Sequence, residues 1–368
     1  MICDDWTTPG ARTGLKDGGT MVAEEGLFAV EILLVAFAGG AIGASIGGTA
    51  ALSLAGVTIV AGEAGHFLSD PTAGGPAATQ ITGLIGYGPA LGPHVAFAGG
   101  VAAAAYLGRE EASPEWFPYH RAKNVYDAIG ARPDALLAGG SVGILGYWIA
   151  TLTHLVGAPV DPVMFSVVVT GVVSRIAFGY PIVGSLGEDV LSTSGFEAAK
   201  ERWLHPKGES GKRTAETRQE CIDRPGGEPW APQQFRWEQQ ALVGLVVGLF
   251  AASVARVTAS YYLAFGIASA SLLFLVAGHR QFPITHHAAL PASIAALSVP
   301  GAGPVLALLV GTGFGITSAL VAELASRLVY AHADTHLDPP AIAIVVTTFA
   351  ISVLTTVGTF QQDLIPAL

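Results

Sequence analysis

Two stretches of this chain, Leu27 to Leu107 and Leu242 to Phe360, are runs of Ala, Gly, Val, Leu and Ile too long and too poor in charge for a water-soluble core. A helix needs roughly 20 such residues to cross the hydrocarbon of a bilayer. Lipid offers the backbone no hydrogen-bond partner, so the chain reads as an all-α integral membrane protein. Only 12% of its 368 residues are charged and 51% are hydrophobic, against about 25% charged in a soluble domain. The 47 glycines suit helices whose backbones approach closely. A β-barrel would need polar and apolar residues to alternate about ten at a time, and these runs are continuous.

The apolar part comes in two copies. Asp161-Pro162 followed by Val168-Val169-Thr170 recurs 177 positions later as Asp338-Pro339 followed by Val345-Val346-Thr347. Leu136-Leu137 with Gly139, Gly143 and Ile144 resembles Leu308-Leu309 with Gly311, Gly315 and Ile316 at an offset of 172, and His94 with Ala96 is a possible match to His286 with Ala288. Five spans are expected in each half, near 27–47, 49–68, 80–107, 135–156 and 160–179, then 238–257, 259–278, 285–299, 304–328 and 340–358. Gly86, Gly88, Pro89, Gly92 and Pro93 break the third of these. The resulting organisation is a leader (1–22, with Met21 as an alternative start), a first membrane repeat (23–179), a polar insert (180–237) and a second membrane repeat (238–368). Basic residues cluster in 109–133 and in the insert, which places both in the cytoplasm. Five spans per repeat then make the two repeats inverted, as in many secondary transporters.

The insert reads as a solvated connector, too short and too poor in apolar residues to be a domain. The net charge of −10 lies largely outside the apolar runs and no basic stripe is present, so no nucleic-acid partner is expected. Two cysteines, Cys3 and Cys221, support neither a disulfide framework nor a thiolate metal site. Five Lys against thirteen Arg suggest a GC-rich prokaryotic genome.

Ionisable side chains at membrane depth are costly and are functional candidates by default. Glu323, deep in its span, is the leading candidate for an ion-coupling carboxylate. Glu63 and His66 stand three residues apart on one helix face, either as a proton- or cation-handling pair or as a hydrogen-bonded helix end. Asp161, like Asp338, has the form of a helix start, with Asp as N-cap and Pro as the first helical residue. His94 and His286 would be brought together if they are repeat-related; which metal they could hold, if any, is open. Glu31, Arg175, Arg256 and Arg327 are expected to snorkel to water. At least one of Glu63, Asp161 and Glu323 should be inside the protein, within reach of a histidine or of the repeat-related region, because an unpaired carboxylate in hydrocarbon costs about 2.5–3.5 kcal/mol.

No enzyme or cofactor signature is present. Gly43-Ala44-Ser45-Ile46-Gly47 has the form of a nucleophile elbow, but it lies inside an apolar span and reads as a packing surface. The stretch from Gly65-His66-Phe67 to Gly74-Gly75-Pro76-Ala77-Ala78-Thr79, and the run Gly99 to Arg109, resemble integral membrane subunits of the archaeal sodium-translocating methyltransferase complex. That resemblance implies ion translocation in a multisubunit assembly. The expected function is a multi-pass secondary transporter or ion-translocating protein of the cell membrane, moving a small ion such as sodium or a proton, or a polar solute, at the repeat interface. The alternative is a non-transporting subunit that scaffolds a membrane complex, and a homo-oligomer is compatible with either.

Overall fold

The computed structural model describes residues 26–68, 81–114, 116–117, 119–184, 190–191, 227–362 and 364–366. The leader, both cysteines and most of the insert lie outside the described residues. All regular structure among the described residues is helical. The first half holds α1 (Val30–Ile46), α2 (Gly48–Leu68), a π-helical turn (Ile81–Gly86), a second π turn (Pro93–Phe97) that runs into α3 (Ala98–Leu107), α4 (Pro133–Leu155) and α5 (Pro162–Ala177). The second holds α6 (Trp237–Thr258), α7 (Tyr262–Ala270), the single turn α8 (Leu273–Val276), α9 (His286–Leu297), α10 (Pro304–Ala325) with a π turn at Ser326–Tyr330, and α11 (Pro339–Thr356).

Five helical segments are long and apolar enough to cross a membrane: Gly48–Leu68, Pro133–Leu155, Trp237–Thr258, Pro304–Tyr330 and Pro339–Thr356. Val30–Ile46, Pro93–Leu107, Pro162–Ala177 and Tyr262–Val276 are apolar but shorter. Helices stand within the apolar runs and the third span is interrupted at 87–92 as its Gly-Pro cluster requires, but the expected span 259–278 is only a nine-residue helix and a single turn, parted at Ser271–Leu272. The large apolar side chains turned outward, among them Leu34, Leu242, Leu249, Phe250, Val305, Leu309 and Phe349, suit a surface that meets hydrocarbon rather than water.

Inside, the helices meet through small residues. α1 packs on α4 and α3, α6 packs on α10 and α9, and the halves join through α2 on α7 and α5 on α11. At Gly40 the α1 backbone lies against Gly139 and Gly143 of α4, and at Gly248 the α6 backbone lies against Thr312 and Gly315 of α10. Gly43, in the elbow-like sequence, faces the Ala96 carbonyl so closely that a β-carbon would overlap it. The stretch is therefore a helix contact.

Replacing Gly43 with Ala forces backbone apart where no flexible side chain can yield, and overpacking of this kind costs roughly 1–3 kcal/mol. Gly313, on the same type of helix, has nothing within 4 Å of a β-carbon. Gly43→Ala should lower the melting temperature of the detergent-solubilised protein, and Gly313→Ala should leave it unchanged or raise it. Equal behaviour of the two variants would contradict the close contact.

Candidate functional site

Asp161 is fully buried at the start of α5. One oxygen accepts the Met164 N–H at 2.7 Å, as a helix start demands, and the other accepts the Tyr87 hydroxyl at 2.8 Å. Its own N–H donates to the Thr348 hydroxyl of α11 at 3.0 Å. Tyr87 comes from the turn that breaks the third span. Its ring packs against Tyr262 at 4.9 Å and Phe265 at 5.7 Å, and Tyr262 packs on Tyr261 at 4.4 Å. The carboxylate thus caps one half's helix while facing aromatic side chains of the other half.

Asp338 starts α11 in the same way, accepting the Ala341 N–H at 2.9 Å. Its second oxygen lies 3.1 Å from Nε2 of His336. His286, at the head of α9, lines a small cavity with His336, Asp338, Thr49, Phe97 and Tyr126. Residues of both halves form this wall.

Glu323 is fully buried and accepts from Nε of Arg327 at 2.7 Å, one helical turn on. Its other oxygen has no hydrogen-bond partner among the described residues. Arg327 also donates to the carbonyls of Leu191 (2.6 Å) and Phe235 (3.1 Å), and its guanidinium lies 4.6 Å from the Trp237 ring centre. Arg175 is likewise buried, donating to Thr335 Oγ1 at 2.7 Å and to the Ile182, Val329 and Thr335 carbonyls. Both arginines correct the snorkelling expectation: they hold carbonyl oxygens of neighbouring segments inside the protein. Glu31 and Arg256 are exposed, as a snorkelling side chain is.

Glu63 and His66 are not joined by a hydrogen bond. Glu63 is half-buried and accepts from Thr82 at 2.9 Å, whereas His66 is exposed with its ring edge on Phe67. His94 and His287 are fully buried, and neither ring nitrogen of either has a partner among the described residues. The His94 carbonyl packs on Gly146, and the His287 carbonyl accepts from Ser318 at 2.6 Å. Asp161 and Glu323 lie inside the protein, but their side-chain partners are a tyrosine and an arginine rather than the expected histidine. Among the described residues no group of three His, Cys, Asp or Glu stands together to hold a metal ion.

Outside the spans a polar layer covers the same end as the Asp338 site. Lys123 pairs with Glu228 at 2.6 Å and lies 4.4 Å from the Tyr330 ring centre. Burial, and after it the Glu228 carboxylate, push the Tyr119 phenol well above its ordinary range, so it stays a neutral donor, to the Pro229 carbonyl at 3.1 Å. Sequence reasoning missed His336, Tyr87 and Tyr262. His336 stands two residues before the repeated Asp338-Pro339, the one signal that could have drawn attention to it.

Residues 22–368 match the model of a family of unknown function, DUF7973, and the chain belongs to that family. No curated protein and no solved structure matches it.

Removing one partner of a buried ion pair leaves the other charge uncompensated, at about 3–5 kcal/mol. Glu323→Leu alone should destabilise the protein strongly, and Arg327→Met alone likewise. The double variant should be less destabilised than the sum, read from unfolding midpoints in detergent; simple additivity would mean that the pair is not coupled.

Proposed function

We propose that the protein is a secondary transporter or ion-translocating protein of the cell membrane, built of two inverted five-helix repeats, with its site where the halves meet. The observation that carries this reading is the matched pair of helix-start carboxylates, Asp161 and Asp338. Each caps its helix by the same backbone bond, and the residues at each helix start meet the other's helix. Asp161 reaches Thr348 of α11, and Gly171 of α5 lies against Leu337 and His336. The offset of 177 that carries Asp161 to Asp338 also carries Gly171 to Thr348.

The packing supports the same relation. α1 on α4 and α3 corresponds to α6 on α10 and α9, and the halves meet like on like, through α2 with α7 and α5 with α11. The offset of 172 carries Gly146 to Ser318, which receive the carbonyls of His94 and His287. His94 is therefore better paired with His287 than with His286. In each half the third element begins its helix inside the protein, at Pro93 and at His286, the discontinuous form that transporters place around midplane sites. The transported species is a small ion or a polar solute, with Asp161 and Asp338 as the carboxylates at the interface and Glu323 buried within the second half.

A second reading, a non-transporting subunit of a larger membrane assembly, is favoured by the interior itself, which is packed through Gly and Ala with little room. The local resemblance to membrane subunits of a sodium-translocating methyltransferase would fit that reading too.

Two measurements test the proposal. With Cys3 and Cys221 replaced by Ser, single cysteines at Ala131 and Ala302 occupy matching loops of the two halves and should react from opposite sides of the membrane. Reaction from one side would leave a parallel duplication. In proteoliposomes carrying a proton or sodium gradient, Asp161→Asn should lower flux roughly tenfold or more, as expected for a buried carboxylate on an ion path, and Tyr87→Phe should lower it less. Absence of flux across ions and small solutes in the unaltered protein would favour the subunit.

A further inference from the structure

Two cavities adjoin at the end of the molecule that carries the 109–132 loop. The outer one, about 170 Å³ of space open to the centre of a water molecule, lies among Trp116, Tyr126, Asp127, Leu275 and Arg280. Its rim, at Val276 and Gly278, is exposed. The inner one, about 30 Å³ by the same measure, is the space beside His286, His336 and Asp338. Tyr126 and Leu275 line both cavities.

The inner volume suits one or two water molecules and nothing larger. Nδ1 of His286 and Nδ1 of His336 are buried without a hydrogen-bond partner among the described residues, in side chains only 4% and 6% exposed. Buried polar atoms of this kind are ordinarily satisfied by water. The Thr49 hydroxyl and the Asp338 carboxylate complete a polar lining on one side of an otherwise apolar chamber. A hard cation takes an oxygen shell, whereas imidazole beside carboxylate handles protons.

We infer that the inner cavity is a hydrated proton-binding site formed by His336, Asp338 and His286, filled through the outer cavity with Tyr126 and Leu275 as its constriction. With Nε2–H of His336 donated to the Asp338 carboxylate, Nδ1 is left as the acceptor. A proton delivered by hydronium bonds to Nδ1 and leaves water behind, and the anionic pair becomes a neutral imidazolium–carboxylate pair, so uptake cancels a buried charge. The groups facing this pair are the His286 ring, the Tyr126 phenol and the Tyr330 ring, whose centre is 5.4 Å from that of His336. His287 follows at 5.9 Å from His286, and Lys123, held by Glu228, lies beyond Tyr330. Arg280, which donates to the Trp116 carbonyl, and Asp127, which accepts from Asn124, stand in the outer cavity. Desolvation and the Asp338 carboxylate raise the Tyr126 phenol above its ordinary range, which keeps it a neutral side chain at the constriction.

The role of this site as a step in translocation rests on the transport reading; its existence does not, and the tests separate the two. In the full chain lacking Cys3 and Cys221, Ile284→Cys on the inner wall should react with a small cationic methanethiosulfonate from the Ala131 side only. Tyr126→Ala should speed that reaction about tenfold, the effect of a modestly lowered barrier. Ile344→Cys, fully buried on α11 and lining neither cavity, should stay unmodified. If Ile284→Cys reacts no faster than Ile344→Cys, or reacts from the other side, the access route is wrong. In weakly buffered detergent solution a pH drop should drive proton uptake that is reduced in both His336→Gln and Asp338→Asn; unchanged uptake in both overturns the proton site. Flux in proteoliposomes judges the transport reading separately. If the unaltered protein passes protons and both variants pass them equally well, the site fails while that reading stands. If labelling and uptake succeed without flux in the unaltered protein, the site stands and the reading falls.

Discussion

The contact on which the rest of this structure depends is the close approach of helix backbones at glycine. Lipid tails are as apolar as leucine, so membrane helices gain little by hiding apolar side chains from them, and association rests on packing and hydrogen bonds. Gly40 against Gly139 and Gly143, and Gly315 against Gly244 and Gly248, bring backbones to distances that a β-carbon would prevent. With the helices this close, the large apolar side chains are left to the outside, and the interior has room for few polar side chains. Those that remain are held in defined places.

Arg175 and Arg327 illustrate how such groups are held. A lone guanidinium in hydrocarbon is expensive, yet each of these lies within reach of several carbonyl oxygens from loops and helix ends. Planar and rich in donors, the group can bind several acceptors at once. Each arginine therefore ties connecting segments to the helical body: Ile182 and Thr335 at Arg175, Leu191 and Phe235 at Arg327. Glu323 balances the charge of the second. Its second oxygen is buried without a hydrogen-bond partner among the described residues.

The helices and the break at 87–92 were legible in the sequence because apolar length and Gly-Pro clustering are local signals. The Asp-Pro helix starts were legible for the same reason: a side-chain cap needs only its own next three residues. The partners of those carboxylates were not. Tyr87 and Asp161 are 74 residues apart, and Asp161 and Thr348 are 187 apart. The first distance is closed by packing within one half, and the second only by the packing of the two halves on each other. The snorkelling expectation for Arg175 and Arg327 failed on the same ground, since position near a span end does not tell whether the side chain meets water or a neighbouring loop. His94 and His286 looked alike in sequence, but the carbonyls that meet the following long helix are those of His94, at Gly146, and of His287, at Ser318.

The two helix-start carboxylates share a backbone geometry and differ in what faces them. Asp161 meets a phenol and a cluster of tyrosine rings; Asp338 meets imidazoles beside a cavity. A phenol at neutral pH donates a hydrogen bond but does not take up a proton, whereas an imidazole does both within the physiological range. On the transport reading, the imidazoles at the Asp338 end stand beside a space that admits water, while the Asp161 carboxylate meets a phenol packed among aromatic rings. That difference cannot set the direction of net movement, which gradients decide. On that reading it would leave the two halves unequal in their access to water, as a carrier that alternates between its faces requires at any one moment.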